Sequence, residues 1–199
     1  MLPLPGGYFG RMSKRLLWMD LEMTGLDDQK DQILEVAAVV TDLELRPLEE
    51  FHRVVFQPPE VLAAMNDWCK KTHGESGLTA ACATGTALAE VERELIALVD
   101  RHFSTKDRPV ICGNSIGNDR RFIDRYCVEF SKRLHYRMID VSSFKEIYRE
   151  RWGVDFKKKN SHRAVDDIFE SIRELEHYLS FVRIPQEQAA QTGAGEGLV

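Results

Sequence analysis

The chain is poor in cysteine: Cys69, Cys82, Cys112 and Cys127 are its four, with no CxxC pair among 199 residues. That spacing argues against the dense disulfide frameworks of small secreted domains and against thiolate zinc sites, and it suits a reducing cytoplasm. Long apolar runs are missing as well. The longest, Val36 to Val40 with its neighbours, falls far short of the roughly 20 residues that cross a bilayer, so a membrane-spanning protein is excluded. Nor is there an excess of positive charge, since 27 basic against 32 acidic residues leave a formal charge of −5. Such a balance does not grip long nucleic acid by counterion release alone, although a short or end-bound anion stays within reach.

What is present is ordinary for a globular domain. The hydrophobic fraction is 43% and the charged fraction 30%, and a chain this long buries roughly 70% of its unfolded surface. Residues 1–13 mix Pro, Gly and aromatics without periodicity and read as a loose extension, within which Met12 is a candidate start. Residues 184–199, rich in Gln, Ala and Gly from Gln186 onward, read as a tail. Residues 14–183 are then one domain, with no internal repeat. In it Leu16 to Glu22, Ile33 to Thr41 and Phe51 to Phe56 are strand-like, the second apolar enough for a strand buried on both faces. Val61 to Lys71 and Thr86 to Phe103 follow as helices, then a short strand at Pro109 to Cys112. The spacing predicts a helix over Gly117 to Phe130, a brief strand at Tyr136 to Ile139, and amphipathic helices at Val141 to Trp152 and Ala164 to Leu179. Three consecutive strands and then α/β units make an α/β fold, a mixed sheet covered by helices.

Three acidic segments stand out. Asp20 and Glu22 end the first strand two residues apart, so the alternation of a strand points both to the face that also holds Trp18. Neighbouring carboxylates repel and raise each other's pKa unless a hard cation such as Mg²⁺ neutralises them; the plainer alternative is that the strand ends at Asp20 and Glu22 faces water. The second segment, Gly113-Asn114-Ser115-Ile116-Gly117-Asn118-Asp119, follows a buried strand and opens a helix, where α/β sheets bind ligands. Asp119 sits over the inward stripe of Phe122 and Ile123, but a carboxylate in a first helical turn is also favoured by the macrodipole alone. In the third, His162-Arg163-Ala164-Val165-Asp166-Asp167, both aspartates flank the apolar stripe at similar angles, and periodicity does not choose between them.

DLEMTGL (20 to 26), GNSIGNDRRF (113 to 122) and HRAVDD (162 to 167) resemble, in order, the three motifs of the DEDDh exonuclease superfamily. The likeness to its oligoribonuclease family runs from about Leu16 to Phe181, and is particularly close in Trp18 to Leu26, Cys112 to Gly117 and His135-Tyr136-Arg137. The resemblance implies a ribonuclease H-like domain and a metal-dependent exoribonuclease that works from the 3′ end and releases 5′-mononucleotides. It implies Asp20, Glu22, Asp119 and Asp167 as ligands of two divalent ions, Mg²⁺ or Mn²⁺, since the family spaces its His and Asp by four residues and thereby selects Asp167 over Asp166. His162, which titrates near neutrality in its ordinary state, would take the proton of the attacking water.

By the same resemblance Leu26 would wedge between two bases, Trp68 would stack beside them, and Tyr136 would arrive from the second subunit of a homodimer. Ser115, Arg137 and Ser142, with His73 nearby, would close on a 5′ phosphate. The expected partner is short RNA of about two to five nucleotides, above all 5′-phosphorylated dinucleotides, which offer too little phosphate to reward a long basic groove. Without the family, Leu26 and Trp68 read as core, the Lys157-Lys158-Lys159 run as a solvated loop, and Arg120 and Arg121 as surface partners or supports of the site. A DEDDh enzyme for longer RNA or DNA and an inactive nucleic-acid-binding module are the competing readings.

Overall fold

The computed structural model describes residues 15–157 and 163–183. Among them five strands, β1 (Arg15–Met23), β2 (Ile33–Asp42), β3 (Pro47–Val54), β4 (Ile111–Gly113) and β5 (Met138–Asp140), form one sheet in the order β3-β2-β1-β4-β5. The first three are an antiparallel meander, while β4 and β5 lie parallel to β1. Eight α-helices connect and cover them: α1 (Pro59–Ala63), α2 (Asp67–Glu75), α3 (Leu78–Ala81), α4 (Leu88–His102), α5 (Gly117–Tyr126), α6 (Val128–Ser131), α7 (Val141–Trp152) and α8 (Ala164–Leu179). The expected mixed α/β sheet covered by helices is what the chain forms.

Strand alternation decides what each face of the sheet meets. Leu17, Met19, Leu21 and Met23 of β1 join Val36, Ala38 and Val40 of β2 under Leu95 and Leu98 of α4 and Phe122 of α5. Leu16 and Trp18, with Ala37 and Val39, point the other way and pack on Ile168, Ile172, Leu175 and Tyr178 of α8. Each Leu, Ile or Val of this face contributes about 1.5–3 kcal/mol when taken fully out of water, so the stripe fixes how α8 lies on the sheet. Asp20 and Glu22 share the parity of Trp18, and the covering helix therefore brings its own first turn to them.

Several boundaries differ from those expected. The third strand begins at Pro47 and not at Phe51, because Asp42 and Arg46 close a tight turn and the edge strand carries charged residues that its partner strand does not bury. The helix expected over Val61 to Lys71 is two, since Asn66 leaves helical geometry to cap α2, its side chain accepting the Cys69 N–H at 2.9 Å. The helix over Gly117 to Phe130 also divides, at Cys127, whose φ of −124° and ψ of 62° are not helical.

Candidate active site

Asp20, Glu22 and Asp167 each present an oxygen within 4.8 Å of the others. β1 supplies the first two, and the first turn of α8 the third; Asp166, one residue earlier, is exposed. A register shift between Glu22 and Met23 ends the regular pairing of β1 with β2 at this point, as bulges beside functional sites do. Asp119 is buried in the first turn of α5 and crosses to β1, where its Oδ1 accepts the Leu21 N–H at 2.9 Å. Its burial and this contact go beyond the helix-dipole role.

These groups strain one another electrically. Burial first, then the carboxylates of Asp119, Glu22 and Asp167, push the Asp20 carboxyl well above its ordinary range. Glu22 is pushed up to about 8 by burial, Asp167, Glu35 and Asp119, with Arg163 pulling the other way. Burial likewise lifts Asp119 to about 7. Oxygen donors that crowd together and cannot comfortably ionise are the donor set a hard divalent cation needs, and the three of Asp20, Glu22 and Asp167 fit one.

Glu22 also borders a cleft of about 480 Å³ lined by Gly25, Leu26, Asn66, Trp68, Cys69 and His73. Leu26 and Trp68 are 65% and 63% exposed, which removes the core-packing alternative for both. Leu26 is displayed by a turn at Gly25, where an added Cβ would stand 2.4 Å from Asp31 Oδ2 and displace the Asp31 carboxylate. Asp31 cements that turn, accepting from the Thr24 hydroxyl and from the Asp27 N–H at 3.0 Å each. His73 is buried under Trp68, its Nε2 donating to the Met23 carbonyl at 3.0 Å and its Nδ1 lying 4.0 Å from Glu22.

Across the end of β4, the Ser115 and Ser142 hydroxyls meet at 3.3 Å. Asp140 arranges them: its Oδ1 caps α7 through the Ser142 N–H and also accepts the Ser115 N–H, both at 2.9 Å. Tyr136 is 74% exposed beside the edge strand β5, and Arg137 folds back onto its ring and hydroxyl. Arg120 donates to Asp124 and to the His135 carbonyl, while Arg121 reaches Asn118 and the Leu26 carbonyl, so both support the segments on which site residues stand. His162, Lys158 and Lys159 lie outside the described residues.

Asp31, Asp140 and Glu35 escape the sequence reading. Asp140 had a signal, an aspartate directly before an apolar helix. Glu35, a single acid inside an apolar strand, is fully buried and accepts from Arg163 at 3.0 Å and from the Ala164 N–H at 3.3 Å, which anchors the start of α8. His52 Nε2 lies 2.6 Å from the same carboxylate.

Residues 17–175 match the Exonuclease family. Among curated proteins the chain is 46% identical over 176 residues to the human "Oligoribonuclease, mitochondrial", covering 84% of this chain and 73% of that protein. It is 44% identical over 170 residues to the oligoribonuclease of Marinobacter nauticus, covering 82% and 93%. The fold is shared with the zinc-bound Escherichia coli ExoI–ssDNA complex at a TM-score of 0.63 and 17% identity, over 85% of this chain and 41% of that one. A full-length 3′-exonuclease aligns at 0.61 and 18%, over 85% and 61%. These two likenesses speak for the ribonuclease H-like architecture of an exonuclease domain. The identity to oligoribonucleases extends over more than four-fifths of the chain, and on that ground the chain belongs to the oligoribonuclease family of DEDDh exonucleases.

Proposed function

We propose that the protein is a 3′→5′ exoribonuclease that hydrolyses oligoribonucleotides of about two to five nucleotides to 5′-mononucleotides, with 5′-phosphorylated dinucleotides its best substrates. The observation that carries this reading is the adjacency of the acidic cluster to a short cleft: Glu22 belongs to both. The cleft's volume of about 480 Å³ lies in the roughly 300–1,000 Å³ range of small-ligand pockets, and not in that of an extended groove. Leu26 and Trp68 offer the apolar surfaces on which two bases rest, and Ser115, Ser142 and Arg137 are the residues that would receive a terminal phosphate.

Asp20, Glu22, Asp119 and Asp167 are the residues that would hold two divalent ions, Mg²⁺ or Mn²⁺. The chemistry such ions would supply there is a lowered pKa for a bound water and neutralisation of the phosphate. The chain's own contributions are separate. Trp68 and Leu26 fix the bases so that the scissile phosphate lies against the carboxylates, His73 lines the cleft beside Trp68, and His162 receives the proton of the attacking water. A second copy of the chain completes the cradle through Tyr136, whose exposure at the sheet edge suits a contact across a dimer.

The test is a time course with Mg²⁺ on 5′-labelled RNAs from two to about ten nucleotides. Phosphorylated dinucleotides should have the highest kcat/KM, and EDTA should stop turnover. Equal kcat/KM for a dinucleotide and the longest RNA would favour the enzyme of longer substrates, and binding without hydrolysis would favour the inactive module.

A further inference from the structure

Beneath the Ser115 and Ser142 hydroxyls runs a line of hydrogen bonds that leads into the core. It starts at Glu174, which is fully buried on α8 among the apolar residues that pack on the sheet. A carboxylate placed there needs donors, and two converge on it: the Tyr178 hydroxyl at 3.1 Å and the Asn114 amide Nδ2 at 3.0 Å. Because a carboxylate only accepts, Glu174 dictates which way the Asn114 amide faces. Nδ2 must turn inward, where it also meets Ser171 Oγ at 2.8 Å, and Oδ1 must turn outward.

That orientation propagates. Asn114 Oδ1 accepts the Ser142 hydroxyl at 3.2 Å. With its proton committed there, Ser142 Oγ offers lone pairs to the loop and accepts the Ser115 N–H at 3.0 Å. Ser115 needs such a hold, since its φ of 50° lies in the left-handed region that residues other than glycine seldom adopt. Of the two hydroxyl protons that meet at 3.3 Å, the Ser115 proton is then the one left to turn to an incoming acceptor. Ser171 ties the same line to the metal-site helix by donating to the Asp167 carbonyl at 2.9 Å.

We propose that Asn114 and Glu174 are positioning residues which, through this one-way donor chain, hold the Ser115–Ser142 pair in the geometry and polarity that select a terminal phosphate. A terminal phosphate brings three acceptor oxygens to that pair, and a continuing phosphodiester brings fewer. The inference rests on the reading that Ser115 and Ser142 receive the 5′ phosphate, and the experiment separates the two.

The readout is the ratio of kcat/KM for pApA to that for ApA, measured on the full chain with saturating Mg²⁺. Ser115→Ala tests the reading. Asn114→Asp tests the inference, because it keeps the size of the side chain but sets two carboxylates against each other. The double variant Asn114→Asp with Glu174→Gln exchanges amide and carboxylate: the new amide donates to the new carboxylate, and the Ser171 hydroxyl turns from the Asp167 carbonyl to that carboxylate as its second donor. The ratio should fall about tenfold in Asn114→Asp, the scale of one lost charge-assisted hydrogen bond, with the loss in KM for pApA, and should recover in the double variant to within about threefold of the wild type. Asn114→Ala, expected to lower the ratio in the same way, serves where Asn114→Asp does not fold, with circular dichroism establishing the folded state. If Ser115→Ala lowers the ratio while folded Asn114 variants keep it, or the double variant fails to recover it, the positioning role is wrong and the phosphate site stands. If Ser115→Ala leaves the ratio unchanged, the phosphate site itself is wrong and the proposal falls with it.

Discussion

Two groups of carboxylates in this molecule sit in opposite electrical conditions. On the edge strand β3, Glu49 stands between Arg101 and His102 of α4, whose side chains both hydrogen bond to it. Arg101 first and His102 second hold the Glu49 carboxyl down to about 2. In the cleft, Asp20, Glu22 and Asp167 face one another, and Glu22 stands at about 8. The difference lies in what each group faces and in how much water it keeps. Glu49 faces cations supplied by the folded chain itself, whereas burial and like charge push the cleft carboxyls of Asp20 and Glu22 up, at a cost to stability that a bound cation would offset.

The sharpest way to break this comparison is to remove one member of the cleft group. Asp20→Asn, Glu22→Gln or Asp167→Asn should each lower kcat/KM by at least about 10²–10³, the scale of losing one group that stabilises the transition state. The proteins should remain folded. In EDTA at pH 8 their Tm should equal or exceed that of the wild type, because repulsion is removed. Asp166→Asn should be mild, and an essential Asp166 beside a dispensable Asp167 would show that α8 presents the other aspartate.

A smaller effect separates the two groups by pH. The folded pKa of Glu22 lies above its ordinary value of 4.5, so the folded state binds more protons than the unfolded one between these two values. Stability is then fully present below about pH 4.5 and falls as pH rises toward about 8. Tm in EDTA should therefore decline across this window. Mg²⁺ binds the deprotonated carboxylates, so it should raise Tm more at pH 8 than at pH 5. A flat metal-free profile would show that the carboxylates do not burden the fold.

How much of this was legible in the sequence follows from which forces are local. The pairing of Asp20 with Glu22 needs only the two-residue period of a strand, and Trp18 marks the face. Asp167 was not separable from Asp166 by periodicity, because the roll of α8 is set by Ile168, Ile172, Leu175 and Tyr178 against residues of β1 and β2 more than a hundred positions away. The family motif chose between the two on other grounds. Leu26 and Trp68 read as core when hydrophobicity is the only guide, but Leu26 is exposed on the turn at Gly25 and Asp31, and Trp68 on the first turn of α2 after the Asn66 cap. Glu35 and Glu174 were illegible as partners of Arg163 and Asn114, since each of these contacts is made across the tertiary fold.

The smallest expected effect belongs to Glu49→Gln, and it tests the other half of the comparison. Glu49 is removed from the cleft, since it lies on the outer edge strand and pairs with Val40 of β2, which in turn pairs with Leu17, ahead of Asp20 and Glu22 on β1. Turnover of short RNA should be unchanged. Its partner Arg101 is 54% exposed on the side chain, and pairs that share so much solvent stabilise little, so Tm near neutrality should drop by a few degrees at most. The sign with pH must be opposite to that of the cleft. A carboxylate held below its ordinary value of 4.5 contributes stability above that pH and loses it as pH falls through about 2. The Tm gap between wild type and Glu49→Gln should therefore be full at pH 7 and close on acidification, whereas the burden of the cleft grows on alkalinisation. A gap that stays constant from pH 7 to about pH 2 would assign the effect of Glu49 to packing along the edge strand and not to its charge.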